Sequence, residues 1–265
     1  MNLYKITFII FSSVLTFSSC GTNDSSDYFW DEISVSGKFR PVSFVFSSTE
    51  IGTCYNYGQY NLEKVLKSQI QNIDGKAVNG MMLFPSVTDP LYNPLSEELK
   101  FLYDENGNQT FKSFPSFVND MNFFAFDSVS WYQSIENNLS KTPIISLGQK
   151  SALKDDQQTI YIKGIYNKKT SSSHSIALYL FRKSKGANQK TPAGTTVYKI
   201  HKNVIYSAVT ESYGKILSSK NKSEEFHAKF QFDLNNVPSS QISYLVIIYK
   251  LNDGKPVEVI NSITF

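Results

Sequence analysis

Two cysteines, three histidines and several groups of lysines carry most of the reactive chemistry in this 265-residue sequence. A thiolate attacks disulfides and accepts acyl chains, and dithiol–disulfide exchange needs two sulfurs. Cys20 follows an apolar run. Cys54 sits in Thr49-Glu50-Ile51-Gly52-Thr53-Cys54-Tyr55-Asn56-Tyr57-Gly58. His174, His201 and His227 are too scattered for a metal-ligand set or a nucleophilic triad, so no catalytic residue, metal site or cofactor is expected. His227 alternates outward on a strand and reads as a surface residue; His201 reads as a packing or hydrogen-bonded residue, or with the bases beside it as part of a binding site. Bases gather as Arg182, Lys183 and Lys185, as Lys199 and Lys202, and between Lys215 and Lys222. One face of these residues suits an acidic glycan, lipopolysaccharide phosphates or a protein partner. Scattered lysines that keep edge strands unpaired account for them equally well.

The elements that position these residues follow from composition and periodicity. With 41% hydrophobic and 14% aromatic residues the chain is too apolar to be disordered, and its length suits one or two domains. A net charge of +3, with Arg40 and Arg182 as the only arginines, excludes a nucleic-acid reader built on Arg forks. Residues 20–140 carry seven bases and fifteen acids, and residues 141–265 carry eighteen bases and eight acids. That asymmetry suggests two units with different surfaces.

Residues 1–19 read as an export signal: Lys5, twelve mostly apolar residues Ile6–Phe17, then Ser18 and Ser19. The apolar run is too short to span ~30 Å of hydrocarbon as a helix. Leu15-Thr16-Phe17-Ser18-Ser19-Cys20-Gly21 resembles a bacterial lipobox, with Phe17 where Leu is commoner. The resemblance implies a lipoprotein of a Gram-negative bacterium, acylated at Cys20 with chains such as palmitate and held on the outer membrane. Residues 20–36 would be a flexible tether. Cys54 is then the sole thiol, with no partner for an internal disulfide.

Residues 37–140 read as the first folded unit: a strand in Phe39–Phe46, a loop Ser47–Gly58, a helix carrying Leu62, Val65, Leu66, Ile70 and Ile73, and a strand in Val78–Phe84. A short helix opened by Ser96 follows, then a strand beginning at Phe114 and a helix from Trp131 to Leu139. This order resembles the thioredoxin-like fold. The Cys54 loop is similar to that family's T-W-C-G-x-C-x-x-Y-G stretch, with Glu50 and Ile51 in place of Trp and the first Cys, while Gly52, Cys54, Tyr57 and Gly58 remain. Phe114-Pro115-Ser116 stands where the family has its cis-proline loop, so Pro115 is expected to be cis. The resemblance places the attacking thiolate at the first cysteine position, which Ile51 occupies; Cys54 holds the resolving position, and the redox site reads as lost.

Residues 141–265 read as an immunoglobulin-like β-sandwich without its disulfide, with strands in Gln158–Tyr166, Ser175–Arg182, Thr195–His201, Glu225–Leu234, Ile242–Leu251 and Val257–Phe265, and a seventh in Ile144–Leu147. Lys185–Ala187 reads as a turn. Tyr198-Lys199-Ile200-His201-Lys202-Asn203-Val204, followed by Gly214, resembles a stretch of the outer membrane protein 28-related lipoproteins, which join a thioredoxin-like part to a β-rich part behind a lipoprotein signal. That resemblance implies an outer-membrane, surface-exposed protein of binding or adhesion. Asp127-Ser128-Val129 resembles an O-glycosylation acceptor.

The expected function is non-enzymatic: a lipid-anchored surface or periplasm-facing protein that binds a macromolecule or glycan, or assembles with a membrane partner. The alternative is a thiol oxidoreductase or a single-cysteine thioredoxin-fold enzyme using Cys54.

Overall fold

A computed structural model describes residues 27–67, 78–107, 113–125, 127–218, 221–234 and 237–264. Cys20, the expected export signal and the expected helix residues Ile70 and Ile73 lie outside the described residues. The chain is mixed α/β and mostly strand, organised on one large mixed sheet.

The first unit begins with β1 (Val42–Phe46), every residue of which is buried. It runs parallel to β2 (Asn79–Leu83), with Phe44 opposite Met81. Helix α2 (Gly52–Leu66) leaves β1 on the way to β2 and begins well before the expected start, taking in part of the expected loop Ser47–Gly58. The reason is periodic: Cys54, Gly58, Leu62 and Val65 repeat at helical spacing and are all buried, so the small residues extend the apolar stripe toward the N-terminus. Helix α3 (Pro94–Gly107) opens at Pro94, a residue suited to the first helical position, and not at Ser96. Ser96 is buried, and its hydroxyl accepts the Phe84 amide at 3.2 Å. The antiparallel pair β3 (Ser116–Asn119) and β4 (Asn122–Ala125) precedes α4 (Ser128–Leu139), whose N-cap Asp127 accepts the Ser130 amide at 2.9 Å.

The second unit contributes β5 (Ile145–Lys154), β6 (Gln157–Tyr166), β7 (His174–Lys190), β8 (Thr196–Ala208), β9 (Lys215–Leu217), β10 (Glu225–Asp233), β11 (Ile242–Asn252) and β12 (Lys255–Thr264). Strands β7 and β8 run far past the expected bounds, and Lys185–Ala187 lies inside β7 rather than in a turn. They form a long hairpin that projects from the sandwich onto the first unit.

One sheet has the order β12-β11-β7-β8-β2-β1-β3-β4, with β9 on β7; the other is β10-β6-β5. The two units therefore share a sheet, joined where Met82 of β2 lies parallel to Val204 of β8. The three-stranded sheet packs on the end formed by β7, β11 and β12. Ile145, Ile160, Ile162 and Tyr166 meet Ile176, Leu178, Val246 and Ile248 between the sheets. A second core runs across both units, joining Phe44, Phe46, Met81, Leu99 and Leu102 to Tyr179, Ile247 and Tyr249. A third lies under α2 and α4: Val45, Leu62, Val65, Met82, Phe117, Trp131 and Ile135. Burying side chains of this size contributes roughly 1.5–3 kcal/mol each, so the shared core couples the units.

Part of the expected tether is structured. Residues Asp27–Asp31 form the short helix α1. Phe29 lies 4.4 Å from the Tyr161 ring and Trp30 stacks at 4.4 Å on His227, both on the outer face of β10-β6-β5. The Ser36 amide then donates to the Leu147 carbonyl at 2.9 Å. His227 is thus half-covered by an indole and is not a free surface residue.

Candidate functional site

The residues singled out by sequence converge at the N-terminus of α2. Ile51 is the N-cap and offers no side-chain hydrogen bond. Cys54 is 2% exposed, and burial pushes its thiol pKa up, against the lowering effect of Ser47 and the Ser48 backbone. Tyr57, in contrast, points to solvent. The Phe114–Pro115 peptide is cis, and the Thr53 hydroxyl donates to the Phe114 carbonyl at 3.1 Å, fastening this loop to the helix start. A Cβ on Gly58 would lie 3.0 Å from the Ser47 hydroxyl oxygen and in ordinary contact with Pro115 at 3.7 Å, so helix, strand end and loop meet here.

Buried Asp89 fixes the strand-to-helix connection. One of its oxygens accepts from the Thr49 amide at 2.6 Å, the Thr49 hydroxyl at 3.0 Å and the Ser48 hydroxyl at 3.2 Å, and the other accepts the Leu91 amide at 2.9 Å.

Over this arrangement sits the tip of the β7–β8 hairpin. The Lys190 amide donates to the Thr49 carbonyl at 2.8 Å. The fully buried Gln189 side chain donates through Nε2 to the carbonyls of Thr49 at 2.9 Å and Ile51 at 3.2 Å. Lys190 pairs with Glu50 at 2.7 Å. A Cβ on Gly52 would meet the Thr191 carbonyl oxygen at 2.6 Å and Pro192 Cα at 2.9 Å. The hairpin therefore rests against the backbone of the first helical turn, above Ile51 and Cys54.

The base clusters divide by role. Lys199 donates to the Tyr55 carbonyl at 2.6 Å with its ammonium 4.4 Å over that residue's ring, and burial lowers its pKa. The Lys202 amide donates to Gln59 Oε1 at 2.9 Å, and its ammonium lies 3.5 Å from Glu63. Both hold the hairpin to α2. Arg182 stacks on Tyr206 at 4.6 Å, whereas Lys183 and Lys185 are exposed on the hairpin. Of the two readings left open for these bases, Lys199 and Lys202 serve docking contacts, while Lys183 and Lys185 stay exposed to solvent. Among the described residues no His, Cys, Asp or Glu group is placed to hold a metal ion.

His201 packs edge-on against Phe84 at 5.5 Å and is 2% exposed, with neither ring nitrogen hydrogen-bonded. Burial, with Lys199 nearby, lowers its pKa to about 4. Because an unfolded histidine titrates near 6.5, the stability this residue provides is present above that pH and is lost as pH falls toward 4. Replacing His201 with Leu should remove up to about 3 kcal/mol of acid-side loss, read as a denaturation midpoint that gains on the wild type's at the same pH as pH falls from about 6.5 to 4. An unchanged acid limb would show that the imidazole is hydrated in the native state.

Sequence reasoning missed Gln189, Asp89 and the contact over Gly52. Gln189 carried no signal: along Ala187-Asn188-Gln189-Lys190 burial alternates in the structure, but the buried Gln is as polar as its exposed neighbours. The contact itself is between distant segments and leaves no local pattern.

No family model matches the chain, and no curated protein matches it in sequence. Among solved structures, HBP35 of Porphyromonas gingivalis is similar over 88% of this chain and 76% of its own, with a TM-score of 0.65 at 16% identity. An Agrobacterium tumefaciens protein solved by structural genomics is similar over 87% of this chain and 95% of its own, with a TM-score of 0.57 at 11% identity. At these identities the likeness lies in the fold.

Proposed function

We propose that this protein is a lipid-anchored outer-membrane or cell-surface lipoprotein, acting without catalysis in binding, adhesion or assembly. In this reading residues 37–140 are a redox-inactive thioredoxin-like domain: a parallel β1–β2 pair, antiparallel β3 and β4, and a cis-proline beside the helix N-terminus. Residues 141–265 are an immunoglobulin-like sandwich that lends strands to the shared sheet. Acylation at Cys20 supplies the membrane contact; no helix among the described residues is long and apolar enough to cross a bilayer.

The observation that carries this reading is the hairpin seated on the α2 N-terminus. Thiol exchange requires a thiolate to reach a disulfide sulfur in line. Here Ile51 stands at the attacking station, the remaining thiol is buried with a raised pKa, and Gln189 and Lys190 bind the backbone at the start of its helix. The hairpin turns the former reactive surface into an internal joint and presents Lys183 and Lys185 outward.

The test is saturable binding of the mature chain to sulfated glycans and lipopolysaccharide across a salt series. Binding should weaken with salt and fall several-fold, roughly 1 kcal/mol, in a Lys183→Glu/Lys185→Glu variant. No saturable binding at low salt would remove the basic-ligand reading, and insulin reduction abolished by Cys54→Ser would overturn the non-enzymatic one.

A further inference from the structure

We propose that the cavity at the seam between the two units binds a small organic anion that carries several hydroxyl groups, a sugar acid being the class that fits. The site is separate from Lys183 and Lys185 and does not depend on an anchor at Cys20.

The seam is narrow. Strand β2 is in register with β8 at a single pair, Met82 opposite Val204, and Asn203 just before it has φ 53°. On the N-terminal side of that pair the strands part. Asn79 of β2, Asn203 of β8, Gln149 of β5 and Arg40 line a cavity of about 430 Å³, and Phe181 and Leu66 give it an apolar wall. Small-molecule sites span roughly 300–1,000 Å³.

Two buried acceptors on this cavity, Asn79 Oδ1 and Gln149 Oε1, have no donor among the described residues. Asn79 is 1% exposed, and its amide cannot be turned round. The Ser262 hydroxyl gives its one proton to the Arg40 carbonyl at 2.7 Å, so it must accept from Asn79 Nδ2, 2.8 Å away. The Gln149 amide is set in the same way, because Nε2 donates to the Thr264 carbonyl at 3.2 Å. Buried polar groups are nearly always hydrogen-bonded, so two orphaned acceptors on one cavity call for donors carried by a ligand.

Arg40 supplies the charge. Its amide donates to Asn261 Oδ1 at 2.9 Å and its carbonyl is held by Ser262, which fixes its backbone beside the cavity. Among the described residues no ion pair engages its guanidinium, and no carboxylate lines the cavity. A guanidinium takes a carboxylate through paired, charge-assisted bonds. One cation and two neutral acceptors therefore match one carboxylate and neutral hydroxyl donors. An ammonium group would meet Arg40 with no acid to offset the repulsion.

The full chain is titrated with glucuronate and gluconate by saturation-transfer difference NMR, with glucose, cyclohexanecarboxylate and serine as comparison ligands. The sugar acids should bind saturably. Glucose lacks the anion, cyclohexanecarboxylate lacks the hydroxyls and serine adds an ammonium, so each should bind about tenfold more weakly or worse. Arg40→Gln should weaken the sugar acids about tenfold or more, with part recovered in Arg40→Lys, and Gln149→Ala about fivefold, the loss of one neutral hydrogen bond. The Lys183→Glu/Lys185→Glu protein should bind them as the wild type does. The comparison of ligands uses the unchanged chain, so it stands whatever a substitution does to folding. No saturable binding of either sugar acid at millimolar concentration means that water alone meets the two acceptors, and overturns the site. Equal binding of any comparison ligand overturns the assigned chemistry. Sugar-acid binding that survives Arg40→Gln and is lost in Lys183→Glu/Lys185→Glu overturns the seam site and leaves the basic-ligand reading intact.

Discussion

Replacing Gly52 with Ala will lift the hairpin from α2 and open Cys54 to thiol reagents. The new Cβ would sit 2.6 Å from the Thr191 carbonyl oxygen, 2.8 Å from its carbon and 2.9 Å from Pro192 Cα. All three are main-chain atoms of the hairpin tip, so no side chain can turn aside. Lifting the tip breaks the Lys190–Thr49 backbone bond and the Gln189 bonds to Thr49 and Ile51. At about 1 kcal/mol net per hydrogen bond, the docking should weaken by about 2–3 kcal/mol. The alanine does not penalise the helix itself, since Ala is the better helix former, so the loss reports on docking. Wild-type Cys54 should react with a maleimide only through rare opening, and the Gly52→Ala protein roughly 30- to 150-fold faster, the same free energy read as a rate. Gln189→Ala should give a smaller increase in the same direction, because it leaves the Lys190 backbone bond in place. Unchanged labelling in both variants would mean that the hairpin does not guard the thiol, and would remove the main support for an inert domain.

This joint also marks how far the sequence could be read. Strand β10 was legible residue by residue, because one face is core and the other water: Phe226, Ala228, Phe230 and Phe232 are buried, and Glu225, Gln231 and Asp233 are exposed. The continuous run Leu245–Ile248 was legible as a strand covered on both faces, which it is, between the two main cores. The outer halves of β7 and β8 were not. Lys183, Ser184, Lys185 and Gly186 have no apolar alternation, and their strand pairing is fixed by partner residues such as Lys202, His201 and Ile200. Strand β4 is four residues long, too short for periodicity to register. The start of α2 is hidden because Cys54 and Gly58, though buried, are too small to register in an apolar periodicity that begins clearly only at Leu62. At the site itself, Cys54, Gly52 and Pro115 are legible because their segments resemble a known residue pattern, whereas Gln189 belongs to no pattern within the first unit. Sequence locates what a segment contributes on its own. The sharing of one sheet by two units, and the use of Lys199 and Lys202 to join them, are pairings between segments more than a hundred residues apart.

The second large effect concerns Asp120, at the turn between β3 and β4. It is buried with φ 53°, accepts the Val42 amide at 2.9 Å and is bonded by the Asn138 side chain. Burial raises its pKa from 3.8 to about 7, against the lowering effects of the Val42 amide, Lys141 and Asn138. A raised folded pKa means that stability is fully present below the unfolded value and is lost as pH rises through the folded one. Between about pH 4 and pH 7 that loss amounts to as much as ~4 kcal/mol. His201 has the opposite slope over an overlapping range, gaining up to about 3 kcal/mol as pH rises from about 4 to 6.5, and His174, lowered by burial, adds to that gain. In the wild type the two slopes largely cancel, so the fold should have a nearly flat stability profile across mildly acid pH. Asp120→Asn keeps an acceptor for the Val42 amide, tolerates the positive φ and requires only that the Asn138 amide turn round. The variant should match the wild type near pH 4 and exceed it by roughly 2–4 kcal/mol near pH 8, with the histidine slope now visible in its urea midpoints. If the two proteins keep the same difference at every pH, Asp120 is ionised throughout and its burial is compensated by the bonds around it.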